Sequence, residues 1–169
     1  MSLSSFKSGS WNGRHLKITS VTQEEREGIV RGAIANRAFK ISENRGFKPG
    51  RELEDWRRAE LETMGPLNCG FLISDRSIAL STDGACFGRG EIGIYVEPRH
   101  LTICGTERTC MQEALPKSVG SKPADRLIIR SLELPLEIEP SEVSARFNGR
   151  MIEIELPRPF VKKRASAAS

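Results

Sequence analysis

The sequence is short of the residue types on which most site chemistry depends. It has two histidines, His15 and His100, far apart in the chain. Its four cysteines, Cys69, Cys86, Cys104 and Cys110, form no C-x-x-C pair. Zinc-type centres need such ligands at short spacings, so no metal is expected and the thiols read as reduced and partly buried. A Walker loop, G-x-S-x-G and H-E-x-x-H are all absent. Gly88-Arg89-Gly90 is too short to cradle a phosphate and reads as a hairpin turn. Glu153 and Glu155 share a strand face, but with no histidine nearby in sequence they read as solvated carboxylates, not an acid–base pair. His100 falls in a turn before Leu101 and reads as a surface residue. These absences point to a non-enzymatic protein with no catalytic residue and no cofactor.

Long apolar runs are missing too. Nothing approaches the roughly 20 residues needed to span a bilayer. The start, MSLSSFKSGSWNGRHLK, lacks the apolar centre of a secretory signal, so a cytoplasmic protein without a membrane partner is expected. Charge of one sign is also scarce. The net charge is +4, and the excess sits near the ends: Lys7, Arg14 and Lys17, then Arg158, Lys162, Lys163 and Arg164. Such ends serve solubility, and no nucleic-acid partner is expected. With 169 residues, 38% apolar and 28% charged, the chain has enough core for one domain of ordinary size plus something small.

Residues 1–20, rich in Ser, Gly and Asn, read as a disordered N-terminus. A helical hairpin then occupies residues 21–65. Thr22-Gln23-Glu24-Glu25 is a capping box, and Val30, Ile34, Ala38 and Ile41 follow at helical spacing. Gly46 suits a left-handed stop, and Lys48-Pro49-Gly50 a turn. In a second helix Leu53, Trp56 and Met64 lie roughly on one side, until Gly65-Pro66. The hairpin balances nine basic residues (26, 31, 37, 40, 45, 48, 51, 57, 58) against nine acidic ones (24, 25, 27, 43, 52, 54, 55, 60, 62), which argues against a DNA-binding helix. Too small for a core of its own, it must dock on something. Trp56 is the candidate anchor for a partner, unless it fills the gap between the two helices.

From residue 70 to residue 160 the period changes to two. Phe71-Leu72-Ile73 and Ile78-Ala79-Leu80 are short apolar runs, and Ile92, Ile94 and Val96 alternate with other residues. Leu101 and Ile103 resume the alternation, residues 106–125 read as loop, and Ile128, Arg130, Leu132 and Leu134 form a further segment. Val143, Ala145 and Phe147, then Ile152, Ile154 and Leu156, alternate on either side of Asn148-Gly149. Short strands with close turns and no long helix between them predict an antiparallel, immunoglobulin-like β-sandwich, and the whole chain an α+β fold. Residues 161–169 carry no pattern and read as a disordered tail.

Two stretches resemble known families. IGIYVEPRHLTICGTER (92–108) with LELPLEIEPSEVSARFNGRMIEIELP (132–157) is similar to the α-crystallin domain of bacterial small heat-shock proteins. The match lies in Ile92, Ile94, Val96 and Glu97, in Leu101-Thr102-Ile103-Cys104-Gly105, in Leu134-Pro135 and Glu139-Pro140, and in Ala145 followed by Met151-Ile152. The sequence departs from that pattern in having Arg150 at the motif's glycine position, with Gly149 one earlier. It also lacks the strand-exchange pattern in 106–125 and an I-x-I peptide in VKKRASAAS, and it has a hairpin in place of a hydrophobic arm. IANRAFKISENRG (34–46) with GRELEDWRRAELE (50–62) resembles a short bacterial module of unknown function.

The first resemblance implies an ATP-independent holding chaperone for unfolded clients, self-associating as a dimer or small oligomer. It implies an edge groove between the strands at 92–96 and 143–147, with Ile92, Ile94, Val96, Val143, Ala145 and Phe147 as candidate contacts. Alternation alone allows these side chains to point into the core instead. The alternative function is an adaptor whose hairpin binds one specific partner.

Overall fold

The computed structural model describes residues 10–11, 13–107 and 126–160. Expectations about residues 1–9, the tail 161–169 and nearly all of the 106–125 loop lie outside the described residues.

Two sheets form the body of the molecule. One has six strands in the order β1-β2-β6-β7-β8-β3 and the other four in the order β4-β5-β10-β9. In the first, β1 is Ser10–Trp11, β2 Arg14–Ser20, β3 Met64–Pro66, β6 Gly90–Glu97, β7 His100–Thr106 and β8 Leu127–Glu133. In the second, β4 is Cys69–Ile73, β5 Ser77–Asp83, β9 Ser144–Asn148 and β10 Met151–Pro157. The inward row of each strand meets that of the facing sheet in one apolar core, which includes Ile78, Leu80, Ile92, Ile94, Ile152 and Ile154. Burial of Ile152, Ile154 and Leu156 stabilises the fold by roughly 1.5–3 kcal/mol each. The glutamates between them alternate to the outer face. This is the expected α+β sandwich, with one refinement: β2 runs parallel to β6 and β3 parallel to β8.

Two glycines have physical reasons, one in packing and one in backbone conformation. A Cβ at Gly105 would lie 2.7 Å from the ring of Phe87, which is itself 1% exposed. In the β9–β10 hairpin Asn148 pairs with Met151, so the turn residues are Gly149 and Arg150, not Asn148-Gly149. Gly149 has φ +59° and Arg150 is not in the left-handed region, the signature of a turn with glycine at its first central position.

The expectation of a disordered front is corrected for residues 10–11 and 13–20. Leu16 is 2% exposed and Ile18 packs against the same core, while His15 and Lys17 face outward. The sequence RHLKITS alternates with period two, and that alternation, not the Ser/Gly content before it, decides the local structure.

The helices are α1, Gln23–Asn44, and α2, Glu52–Thr63. Thr22 caps α1 in a full capping box: its hydroxyl accepts from the Glu25 amide at 3.2 Å, and the Glu25 carboxylate accepts from the Thr22 amide at 2.8 Å. Arg45 clamps Asp55 across the turn and donates to the Lys48 carbonyl at 2.6 Å. Ile34, Ile41 and Ala59 form a small apolar contact between the helices. The hairpin is not an appendage. It runs from β2, on one side of β6-β7-β8, to β3 on the other, and so crosses the sheet. Ile129 and Thr102 lie on the sheet face away from the sandwich core, yet both are 0% exposed, as is Thr63 of α2. Arg26 of α1 pairs with Glu97 at the end of β6, and Glu62 of α2 accepts from Arg37 at 2.6 Å.

Candidate functional site: the free edge of β4

The six expected groove residues are brought together, but in the interior. Ile92, Ile94 and Val96 are 1%, 0% and 0% exposed, and Val143 and Ala145 are 5%. All five belong to the main core, and Phe147 packs against it. The expected groove along β6 is closed by the chain's own front. Leu16 faces Ile92 and Ile18 faces Ile94 across the parallel pairing, and the Val21 amide donates to the Val96 carbonyl at 3.0 Å. Trp11 reaches Phe147 of β9, ring centroids 6.0 Å apart, and the Arg14 guanidinium lies 5.3 Å from the Trp11 ring. Arg14 also donates to the Gly84 carbonyl at 3.1 Å. Only Val21 and Thr22 separate β2 from α1, so this front strand is fastened at both ends. The groove reading of these six residues is therefore corrected: β6 is an interior strand whose rim is occupied.

Trp56 is half-buried and packs with Ile34, Ile41 and Ala59 between the helices. The structure places it where the gap-filling reading puts it.

The opposite margin of the sandwich differs. β4 ends the four-stranded sheet, and among the described residues nothing pairs with its outer side. Its sequence, CGFLI, has no charge and no proline, the usual devices that blunt an edge strand. Phe71, Leu72 and Ile73 are 46%, 78% and 48% exposed. Phe71 and Ile73 stand opposite Leu80 and Ile78 and share their inward side. Both stay half-exposed, and β3, the last strand of the other sheet, is only three residues long and ends in Pro66.

The backbone direction follows from the turn. The Ser74 amide donates to the Ser77 carbonyl at 2.9 Å and closes a two-residue turn at Asp75-Arg76. In an antiparallel ladder hydrogen-bonded and non-bonded pairs alternate, so Leu72 and Gly70 aim their backbone groups at β5. Cys69, Phe71 and Ile73 turn theirs to the free side. Arg158 steadies the turn, donating to the Ser74 and Asp75 carbonyls at 3.3 Å each. On the outer face, beside Leu72, a depression of about 940 Å³ runs over Ala79 and Ser81 to Glu153 and Glu155. Hydrogen bonds from Asn148 and Arg146 hold the Glu153 carboxyl below its ordinary pKa.

The site suits recognition more than chemistry. Burial pushes the Cys69 and Cys104 thiols up, away from the thiolate form. Among the described residues no group of three or more His, Cys, Asp or Glu is placed to hold a metal ion. Among them also, no helix is long and apolar enough to cross a membrane. Sequence reasoning saw the Phe71–Ile73 run but not its importance; the available signal was five residues without a gatekeeper.

Comparison with known proteins adds two findings. A family described as a protein of unknown function (DUF2934) matches residues 32–63, which span most of the hairpin. Among solved structures, the chain is similar to HSP18.5 from E. histolytica at 8% identity and TM-score 0.44, over 62% of this chain and 99% of that one. It is similar to hspA from Xanthomonas axonopodis at 14% identity and TM-score 0.43, over 56% and 94%. It is also similar to a small heat-shock protein from Xylella fastidiosa at 15% and 0.44, over 59% and 93%. No curated protein sequence matches. The sandwich assignment rests on the strand pairing described above.

Proposed function

We propose that the protein is an ATP-independent, non-enzymatic holding protein of the small heat-shock type, acting in the cytosol on unfolded or aggregation-prone chains. The observation that supports this reading is the bare β4 edge. An extended client segment gains main-chain hydrogen bonds at Cys69, Phe71 and Ile73 and apolar contact with the three exposed side chains beside them. This moves the client site from the β6–β9 rim to the opposite margin. The test is aggregation of a heat-labile client followed by light scattering. Suppression at near-stoichiometric ratio, lost in Leu72→Asp, is expected; no suppression, or full suppression by that variant, overturns the reading. Deleting residues 1–65 would be uninformative, because it removes β1, β2 and part of β3 from the sheet.

A second reading, an adaptor, has its own observation. Phe39 and Phe47 pair at the hairpin end with centroids 5.5 Å apart while 59% and 53% exposed. Phe47 is held at φ +53°, a strained setting for a bulky residue. A single stoichiometric partner lost in Phe39→Ser/Phe47→Ser, but kept in Leu72→Asp, would favour the adaptor.

A further inference from the structure

We propose that two copies of the chain pair through β4, antiparallel and in one register, with Phe71 opposite the partner's Phe71. The idea rests on the reading of β4 as an open binding edge and names its resting occupant. Three observations carry it.

The first is polarity. Because the free side of β4 offers the N–H and C=O of Cys69, Phe71 and Ile73, an antiparallel copy offers the same groups in the reverse order. A two-fold axis through Phe71 overlaps all five residues of the strand, from Cys69 to Ile73. Any other register leaves some of these groups facing nothing.

The second is side-chain fit. In this register Leu72 of each copy lies opposite Gly70 of the other, a large residue against none. The two Leu72 side chains then sit diagonally on one face, about 7–8 Å apart between backbones and within reach of each other. On the inward face the two Phe71 rings meet, and Ile73 stands opposite Cys69. Inward residues oppose inward residues, so the two four-stranded sheets become one continuous sheet of eight.

The third is the absence of anything repulsive. No charged residue lies within Cys69–Ile73. Asn68 and Ser74, immediately outside, meet as polar neighbours at each end. Client and second copy then compete for the same strand, and binding one releases the other.

The experiment uses the full chain. Light scattering after size separation is expected to show a dimer that dissociates on dilution, with Leu72→Asp shifting the dissociation at least tenfold. In a Cys86→Ser/Cys104→Ser/Cys110→Ser background, Ile73→Cys treated with a short bis-maleimide should give a covalent dimer through Cys69 of the second copy, and adding Cys69→Ser should abolish it. A wild-type monomer at every concentration overturns the proposal, and so does a dimer indifferent to Leu72→Asp. A crosslink that survives Cys69→Ser refutes the register. A monomer whose β4 amides are protected from exchange means that the chain's own residues cover the edge, which also overturns it. The client assay separates the two claims. Suppression by a protein that never dimerises leaves the holding reading standing alone, and a dimer without suppression leaves only the pairing.

Discussion

At one margin of the sandwich the chain's front strand pairs along β6 and Trp11 packs on Phe147 of β9; at the other, among the described residues, β4 receives no such cover. β6 could have been a rim strand, but Arg14–Ser20 lies along it in a seven-residue parallel register and sinks Leu16 into the core. β4 has a similar apolar composition and receives no such cover among the described residues. The difference is a matter of connection. β2 is held by a two-residue link to a capped helix, and that helix is tied back to the sheet by the Arg26–Glu97 pair. β4 follows β3 through Leu67-Asn68 alone, and the turn after it returns directly to β5. A strand's side chains therefore do not say whether it binds outsiders; the length and anchoring of neighbouring segments do.

The contrast can be broken most forcefully at the covered margin. Leu16→Ala is expected to lower the unfolding free energy by about 2–5 kcal/mol, read from denaturant unfolding. A loss below 0.5 kcal/mol, the ordinary range for surface positions, would make the front strand a loose strap and reopen the β6 rim. The anchor is the next target. Glu97→Gln leaves Arg26 without its counter-charge in a pair whose side chains are only 20% and 10% exposed. It should cost about 1.5–3 kcal/mol by the same measurement.

A smaller effect is expected with pH. His100, beside this anchor, has a buried Nε2 without a hydrogen-bond partner among the described residues. Burial, and then the Arg26 charge, lower its pKa from the ordinary 6.5, with Glu97 and Glu133 opposing. The folded state thus prefers neutral His100. Its contribution is full above 6.5 and is lost as pH falls through the lowered value. His100→Gln should flatten the stability profile below pH 6.5, and an unchanged slope would remove His100 from the account. The smallest expected change is at the bare margin: at a concentration low enough to keep the chain monomeric, Leu72→Asp, at a side chain 78% exposed, should leave stability within about 0.5 kcal/mol of the parent. A larger loss there would mean that β4 is already packed against the chain's own residues.

Much of the architecture was legible in the residues. The capping box, the helical spacing of Ile34 and Ile41, and the alternation of Ile152, Ile154 and Leu156 each report a local period that few folds satisfy. The front strand was missed because its Ser- and Gly-rich approach obscured four alternating residues, Leu16 to Thr19. The β6 rim was expected to be open for a different reason. Ile92, Ile94 and Val96 show that β6 has a buried face, and alternation is silent on what lies beside the strand.

What the chain's order of residues determined is the set of pieces: two helices joined at Gly46–Gly50 and short two-faced strands. Only the tertiary structure decided their neighbours. Strand order depends on pairings between segments some 75 residues apart, such as Arg14 with Gly90, and on a hairpin that crosses the sheet instead of hanging from it. Edges exist only where such pairing ends, so the exposure of Phe71, Leu72 and Ile73 is a property of the assembled sheets and is written in no single stretch of sequence.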